Sequence, residues 1–340
     1  MSLKRSADWR DRAASELMSR VLSRAGVSGN VLVMLEPLPE VAAAVSEAGG
    51  RARSWHRFAR KGRKASAWVP AGPFAAATLR LPKAKDELEM AVHAAASVLE
   101  ADAPLWVYGA NDEGTGSADR VIDPLMGPAR TVASGGRCRV LEAFRRAGGP
   151  RPRGTLDEWR RSTSLEFPAG PRDWISYPGI FAHGRVDPGT RVLLAAMRTV
   201  RLAGRHVLDF ACGSGIVGAF LLALEPTARV DLLDVDSVAL AAAGENVSGA
   251  RLISSDGFGA LERERYDLIV SNPPYHEGKA ETRGVVENLI RGAPDYLQAE
   301  GSLMLVTPRR FPLAALMKST FKTVEVSLDE GLYRVWSGKN

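Results

Sequence analysis

Val207-Leu-Asp-Phe-Ala-Cys-Gly-Ser-Gly-Ile-Val-Gly218 is the stretch that decides the fold. An apolar run of strand length, His206–Phe210, passes into a turn carrying three glycines, Gly213, Gly215 and Gly218. Glycine has no Cβ, so the backbone there can turn tightly and approach a ligand closely. The apolar run that follows, Ile216–Leu224, reads as a helix. Strand, glycine turn and helix make up the opening unit of a doubly wound α/β sheet.

Outward from this stretch the alternation continues. Strands are expected at Arg229–Asp234, Arg251–Ser254, Tyr266–Ser271 and Ser302–Thr307. Helices are expected at Ser237–Asn246 and Thr282–Leu297. Lys322–Ser327 and Tyr333–Ser337 read as a terminal antiparallel pair. Upstream, Gly148-Gly-Pro-Arg-Pro-Arg-Gly154 has the composition of a linker, and Phe167–Arg172 reads as a second soft region, with a short helix at Thr155–Arg161 between them. The expected domains are therefore 1–153 and 154–340. The first half carries a faint echo of the second: strands at Val31–Leu35, Ala75–Leu81 and Leu105–Tyr108, helices at Glu40–Ala48 and Met90–Leu99. This suggests a duplicated Rossmann-like architecture whose first copy has lost its glycine loop, because Val31–Leu35 runs into Glu36-Pro-Leu-Pro; a chance likeness between two α/β domains is the alternative.

The glycine loop alone fits a dinucleotide, or a purely structural turn. Asp234 lies 19 residues after Gly215, where a carboxylate can take both hydroxyls of a ribose. Asp209 stands four residues before Gly213, giving Asp-x-x-x-Gly-x-Gly. An acid so close to the loop repels a pyrophosphate and suits a cationic ligand. S-adenosylmethionine (SAM) carries a sulfonium and an ammonium and no phosphate. SAM is thus the expected cofactor, held by Asp209, Ala211, Gly213, Gly215 and Asp234, with Asp256 placed to reach the adenine amine. Cys212 reads as a small packed residue.

Ser271-Asn-Pro-Pro-Tyr275 follows Tyr266–Val270, the fourth strand counted from His206–Phe210. An aromatic exocyclic amine is a poor nucleophile, because its lone pair is delocalised into the ring. Two acceptors can hold its N–H groups: the Asn272 side-chain oxygen and the Pro273 carbonyl, whose direction the prolines stiffen. Tyr275 can stack on the base. These three are the expected catalytic residues, acting by position and electrostatics. No general base is named. His276 can touch substrate or sit at the surface.

With both motifs placed, the C-terminal half resembles the class I methyltransferases of the Asn-Pro-Pro-Tyr/Phe amine type. More closely, it resembles the bacterial ribosomal RNA guanine-N2 methyltransferases of the RsmC/RlmG group. The likeness is carried by Ser271–Gly278 and Leu289-Ile-Arg-Gly-Ala293, and by Tyr177-Pro-Gly-Ile-Phe181 with Val186-Asp-Pro-Gly189, a segment that helps to close the cofactor site in that group. Leu105–Gly114 and Gly136-Arg-Cys138 resemble the group's degenerate N-terminal repeat. Ala211 stands where glycine is common, and Tyr275 where phenylalanine is. The resemblance implies SAM as donor and N2-methylguanosine in ribosomal RNA as product, with the small subunit favoured.

Composition sets the partner class. Of 340 residues, 45% are apolar and 25% charged, which is ordinary globular composition. Two cysteines without metal spacing argue against a disulfide framework or a metal site. No signal peptide or membrane-length apolar run is evident, so a soluble cytoplasmic protein is expected. Residues 1–175 hold 27 Lys and Arg against 20 Asp and Glu, whereas residues 176–340 hold 18 against 19. The excess positive charge points to a polyanion met by the first half. Its densest run is residues 51–64, with Arg51, Arg53, Arg57, Arg60, Lys61, Arg63 and Lys64 as phosphate ligands and Trp55 as a stacking platform. A solvated loop is the plain alternative. The expected partner is ribosomal RNA, free or in an assembled subunit, with no membrane. Other readings of the same motifs are an N6-adenine or protein-glutamine methyltransferase, or an RNA-binding assembly protein with a relic site.

Overall fold

The computed structural model describes residues 9–262, 264–274 and 280–340. The chain divides into two compact units. One holds the residues up to Arg57 with Ser66–Trp159, and the other holds Phe58–Ala65 with Arg160–Asn340. Phe58–Ala65, expected within the first domain, groups with the second unit. Among the described residues no helix is long and apolar enough to cross a membrane.

The first unit runs α1 (Trp9–Ala25), β1 (Gly29–Met34), α2 (Glu40–Glu47), β2 (Gly50–Trp55), β3 (Ala76–Arg80), α3 (Lys85–Val98), β4 (Pro104–Ala110), α4 (Asp119–Met126), β5 (Arg130–Gly135) and β6 (Cys138–Phe144). Its sheet has the order β2-β1-β3-β4-β6-β5. The first four strands are parallel, and β6 and β5 return antiparallel. Helices cover both faces. Leu88 and Val92 of α3 pack with Leu32, Leu79 and Leu105, while Leu17 and Met18 of α1 pack with Val31, Val33 and Trp106. Burial on both faces is why β3 and β4 read as nearly unbroken apolar runs.

The second unit begins with a hairpin, β7 (Arg161–Phe167) and β8 (Gly170–Ser176), then α5 (Pro188–Met197). It continues β9 (His206–Phe210), α6 (Ile216–Leu224), β10 (Arg229–Asp234), α7 (Ser237–Asn246), β11 (Arg251–Ser254), β12 (Tyr266–Ser271), α8 (Ala280–Gly292), β13 (Leu297–Pro308), α9 (Ala314–Thr320), β14 (Thr323–Glu330) and β15 (Tyr333–Lys339). Its sheet has the order β11-β10-β9-β12-β13-β15-β14. Five strands are parallel, and β15 and β14 close the edge antiparallel. α5, α6 and α7 contribute to the core on one face (Leu193, Leu221, Leu240) and α8 and α9 to the other (Leu289, Met317). The doubly wound α/β class is therefore present in both units.

Three local expectations change. The helix expected over Thr282–Leu297 ends at Gly292; a 3₁₀ turn spans Ala293–Tyr296, and Leu297 already belongs to β13. Gly292 and Pro294 are poor helix formers, and they end the regular turns. The soft region at Phe167–Arg172 is the tight end of the β7–β8 hairpin. The short helix at Thr155–Arg161 is only a 3₁₀ turn at Asp157–Trp159. The Pro/Gly/Arg stretch before it packs back on its own unit: the Arg153 N–H donates to His93 Nδ1 at 2.9 Å, and the Gly154 carbonyl accepts from Trp68 Nε1 at 2.9 Å.

Candidate active site

The cleft opens at the carboxyl ends of β9 and β12, where ligands bind in open α/β sheets. β9 ends at Phe210, and Ala211 turns the chain with φ +60°. The Cys212 N–H donates to the Leu233 carbonyl at 3.0 Å, which ties the loop to the end of β10. Gly213 (φ +55°) donates its N–H to Asp234 Oδ2 at 2.8 Å. The three glycines have different physical reasons. Gly213 has open space around it. A Cβ on Gly215 (φ +88°) would lie 2.8 Å from Val247 Cγ2, and one on Gly218 would lie 2.5 Å from Leu232 Cδ2. Gly215 and Gly218 therefore serve close approach to the end of α7 and to β10.

Asp209 and Asp234 frame the loop. Asp209 Oδ2 accepts from the Gly218 N–H at 3.0 Å, and Asp234 Oδ1 accepts from the Asp236 N–H at 2.9 Å. Both carboxyls are buried, 1% and 7% exposed. Loss of water pushes Asp209 up to about 7, against the lowering effect of the Gly218 bond, with Asp234 adding repulsion. Burial likewise pushes Asp234 up to about 6, with Asp236 as the next cause. Two carboxyls held uncomfortably beside an open cleft suit a cationic ligand, which would stabilise their charged forms. That is the chemistry of the sulfonium and ammonium of SAM, so the residues present fit the cofactor expected from sequence.

One pocket brings together Asp209, Ala211, Gly213 and Asn272, with Phe181, Arg185, Asp187 and Thr190 also in its wall. Asn272 reaches it because the Ser271 hydroxyl donates to the Phe210 carbonyl at 2.7 Å, stitching the end of β12 to the end of β9. The Asn272 Nδ2 donates to Thr190 Oγ1 at 2.8 Å and to Asp187 Oδ2 at 3.3 Å. Asp187 is also the N-cap of α5, accepting from the N–H groups of Gly189 and Thr190 at 2.8 and 3.3 Å. Pro273 is buried and Pro274 exposed. Asp256 is exposed at the start of a 3₁₀ turn and is not part of the pocket wall. Tyr275 and His276 lie outside the described residues.

Thr190 and the contact from Asp187 to Asn272 are what the sequence reading missed. The local signal was present: Asp187-Pro-Gly-Thr190 is an N-cap with proline at the first helical position. The partner, 85 residues downstream, leaves no such trace.

The basic run splits in two. Arg51 and Arg53 are exposed on the edge strand β2. Trp55, expected as a stacking platform, is 3% exposed in the core and donates Nε1–H to the Ser66 carbonyl at 3.1 Å. Arg57, expected on phosphate, is 1% exposed and bridges Glu87 at 3.0 Å. Both lie on the same face of the strand as Arg51 and Arg53, but at its far end: Trp55 packs there with Leu32, Met34 and Leu79, and Arg57 pairs with Glu87 of α3. Beyond them, Phe58–Ala65 forms a small hairpin closed by Arg60 and Arg63, with Gly62 at its tip (φ +75°). It is fastened in the second unit: Phe58 bridges Asp236, and the Ala59 N–H donates to the Val235 carbonyl at 2.7 Å. Arg60, Lys61 and Lys64 are exposed on it, Arg63 is half-buried, and Phe58 is 40% exposed. The exposed aromatic of the run is thus Phe58.

Comparison with known proteins fits this geometry. The family model described as methyltransferase small domain matches residues 172–337, and the one described as methyltransferase small domain N-terminal matches residues 34–159. The ribosomal RNA small subunit methyltransferase C of Ectopseudomonas mendocina is 35% identical over 298 residues, 86% of either chain. That of Stutzerimonas stutzeri is 30% identical over 332 residues, 94% of this chain and 97% of the other. The structure of the T. thermophilus 16S rRNA N2 methyltransferase (RsmC), in complex with AdoMet and guanosine, superposes with a TM-score of 0.82. It covers 96% of this chain and 91% of that one at 22% identity, so it speaks to the fold.

Proposed function

The chain belongs to the ribosomal RNA small subunit methyltransferase C family, and we propose that it moves a methyl group from SAM to the N2 amine of a guanosine in small-subunit ribosomal RNA. The observation that carries the reading is Asn272, held by its amide nitrogen at the wall of the pocket that Asp209 and Gly213 also line. Its oxygen is the half of the amide left to receive a substrate N–H. Asp209 faces the cofactor's charged parts, Asp234 takes the ribose hydroxyls, and Ala211 and Gly213 offer backbone against it. Gly215 keeps the loop close to α7. Asp256 takes the adenine edge. Bound SAM supplies a methyl group made electrophilic by the adjacent sulfonium.

The chain's own part is positional. Asn272 Oδ1 and the Pro273 carbonyl accept the two N–H groups of the amine, and Tyr275 stacks on the base. Positive charge grows on the nitrogen during transfer, and fixed acceptors stabilise it without reorganising. The proton then leaves to solvent. Arg51 and Arg53 of the first unit and Arg60, Lys61, Arg63 and Lys64 of the second meet the RNA backbone, and the first unit acts as a positioning domain. The protein acts in the cytoplasm, on ribosomal RNA either free or in an assembled subunit.

The test is transfer of labelled methyl from SAM to unmodified small and large ribosomal subunits, with nucleoside analysis. The expected product is N2-methylguanosine in the small subunit alone. Label in N6-methyladenosine, in a protein glutamine, or nowhere overturns the reading.

A further inference from the structure

We infer that Asp187 and Thr190 are positioning residues that fix which end of the Asn272 amide faces the substrate. The inference rests on the reading of Asn272 as an amine acceptor and names what makes it one. A primary amide has a donor end and an acceptor end of nearly equal size, and rotation by half a turn exchanges them. In the flipped state Asn272 would present two N–H donors to an amine that itself needs acceptors. Donor would face donor, and the site would repel its substrate.

The geometry forbids the flip. Asp187 Oδ2 already accepts two backbone N–H groups at the first turn of α5, so it presents lone pairs to whatever else approaches. Only the nitrogen end of Asn272 can meet it. Thr190 Oγ1, 6% exposed, accepts from the same nitrogen at 2.8 Å; its hydroxyl can also donate, so Asp187 sets the polarity of the amide and Thr190 holds it in place. Both clamp groups sit on one helix start, three residues apart, so a single cap holds them in register. The clamp also passes charge: a carboxylate accepting from Nδ2 polarises the amide and makes Oδ1 a stronger acceptor. The amine therefore meets an oxygen that is both oriented and enriched in negative charge. Neither clamp residue needs to touch the base.

The experiment measures single-turnover methyl transfer to unmodified small subunits, SAM affinity and melting temperature for four variants. Thr190→Val keeps the shape and removes the acceptor; it should lower the transfer rate about 10-fold, the scale of one lost buried hydrogen bond, with SAM affinity within about twofold. Thr190→Ser restores the hydroxyl and should restore the rate. Asp187→Ser keeps the helix cap but is too short to reach Asn272, and should lower the rate about 100-fold because charge is lost with geometry. Adding Thr190→Val to Asn272→Ala should change the residual rate less than about twofold, since the clamp acts only through Asn272. A normal rate for Thr190→Val, or a loss that Ser does not rescue and that tracks melting temperature and SAM affinity, overturns the clamp. If Asn272→Ala itself turns over normally, the acceptor reading fails first.

Discussion

The two sheets of this chain share one strand order and differ in what stands at its centre. Remove β11, and β10-β9-β12-β13-β15-β14 repeats β2-β1-β3-β4-β6-β5, with the same strand directions. Even the elbow is shared: Leu35 (φ +56°) follows β1 as Ala211 (φ +60°) follows β9. Counting back from these elbows, Val33 stands where Asp209 does. Counting across the pairing, Val33 faces Thr78 as Asp209 faces Val270, so Arg80 stands where Asn272 does. Arg80 is 5% exposed and bridges Glu113 at 2.8 Å and Asp11 of α1 at 2.9 Å. Glu36, just past the elbow, takes the hydroxyls of Ser15 on α1 and of Tyr108. In one unit the end of the sheet opens into a pocket lined by Asp209 and Asn272. In the other the protein's own helix and arginine have closed it. The same strand order can thus end in a pocket in one unit and in mutually satisfied polar groups in the other.

The largest expected contrast is between the counterparts Asn272 and Arg80. Asn272→Ala should lower turnover by about a thousandfold, the scale of a lost transition-state acceptor, while SAM affinity in calorimetry stays within about twofold. Near-normal turnover would remove the asymmetry of function. Arg80→Ala should instead cost stability, about 3 kcal/mol in denaturant unfolding, because Asp11 and Glu113 lose a largely buried partner. A silent Arg80→Ala would mean that the closed end contributes nothing.

The acids give a smaller effect that depends on pH. Asp209 must be charged to hold a cation, and its carboxyl sits at about 7. SAM affinity should therefore fall about 10-fold from pH 8 to pH 6. Stability of the cofactor-free protein should move the other way. A carboxyl raised above its unfolded value stabilises below the unfolded pKa, and that contribution is lost as pH rises through about 6 for Asp234 and about 7 for Asp209. Affinity that is flat across this window would show that the two carboxyls are not strained. The smallest effect concerns the shared elbow: Ala211→Gly should stabilise by about 1 kcal/mol or less, since only glycine adopts positive φ without cost. Destabilisation would mean that the alanine methyl is needed in the loop.

Much of this was legible before any coordinates. His206–Phe210, Ile216–Leu224, Arg229–Asp234 and Ser237–Asn246 have the expected ends, and Ile216–Leu224 is bounded by Gly215 and Glu225. The β7–β8 hairpin was not, since Arg161-Ser-Thr-Ser has no apolar alternation and the proline-rich turn looks like loose chain. Within the basic run, charge density hid the fact that a strand was passing through it. Trp55 and Arg57 lie at its buried end, and only the pairing with β1 and the bridge to Glu87 reveals that. The Asp187–Asn272 contact is a tertiary fact, and local pattern carries no information about it.

The hairpin of Phe58–Ala65 has a consequence for synthesis. The chain leaves the first unit at Arg57, returns at Ser66 and leaves again after Trp159. When a ribosome has completed residue 65, the carbonyl of Val235 that will accept the Ala59 N–H has yet to be translated. The first half must fold around a loose end that only the second half can fasten, and no single cut in the gene separates the two units.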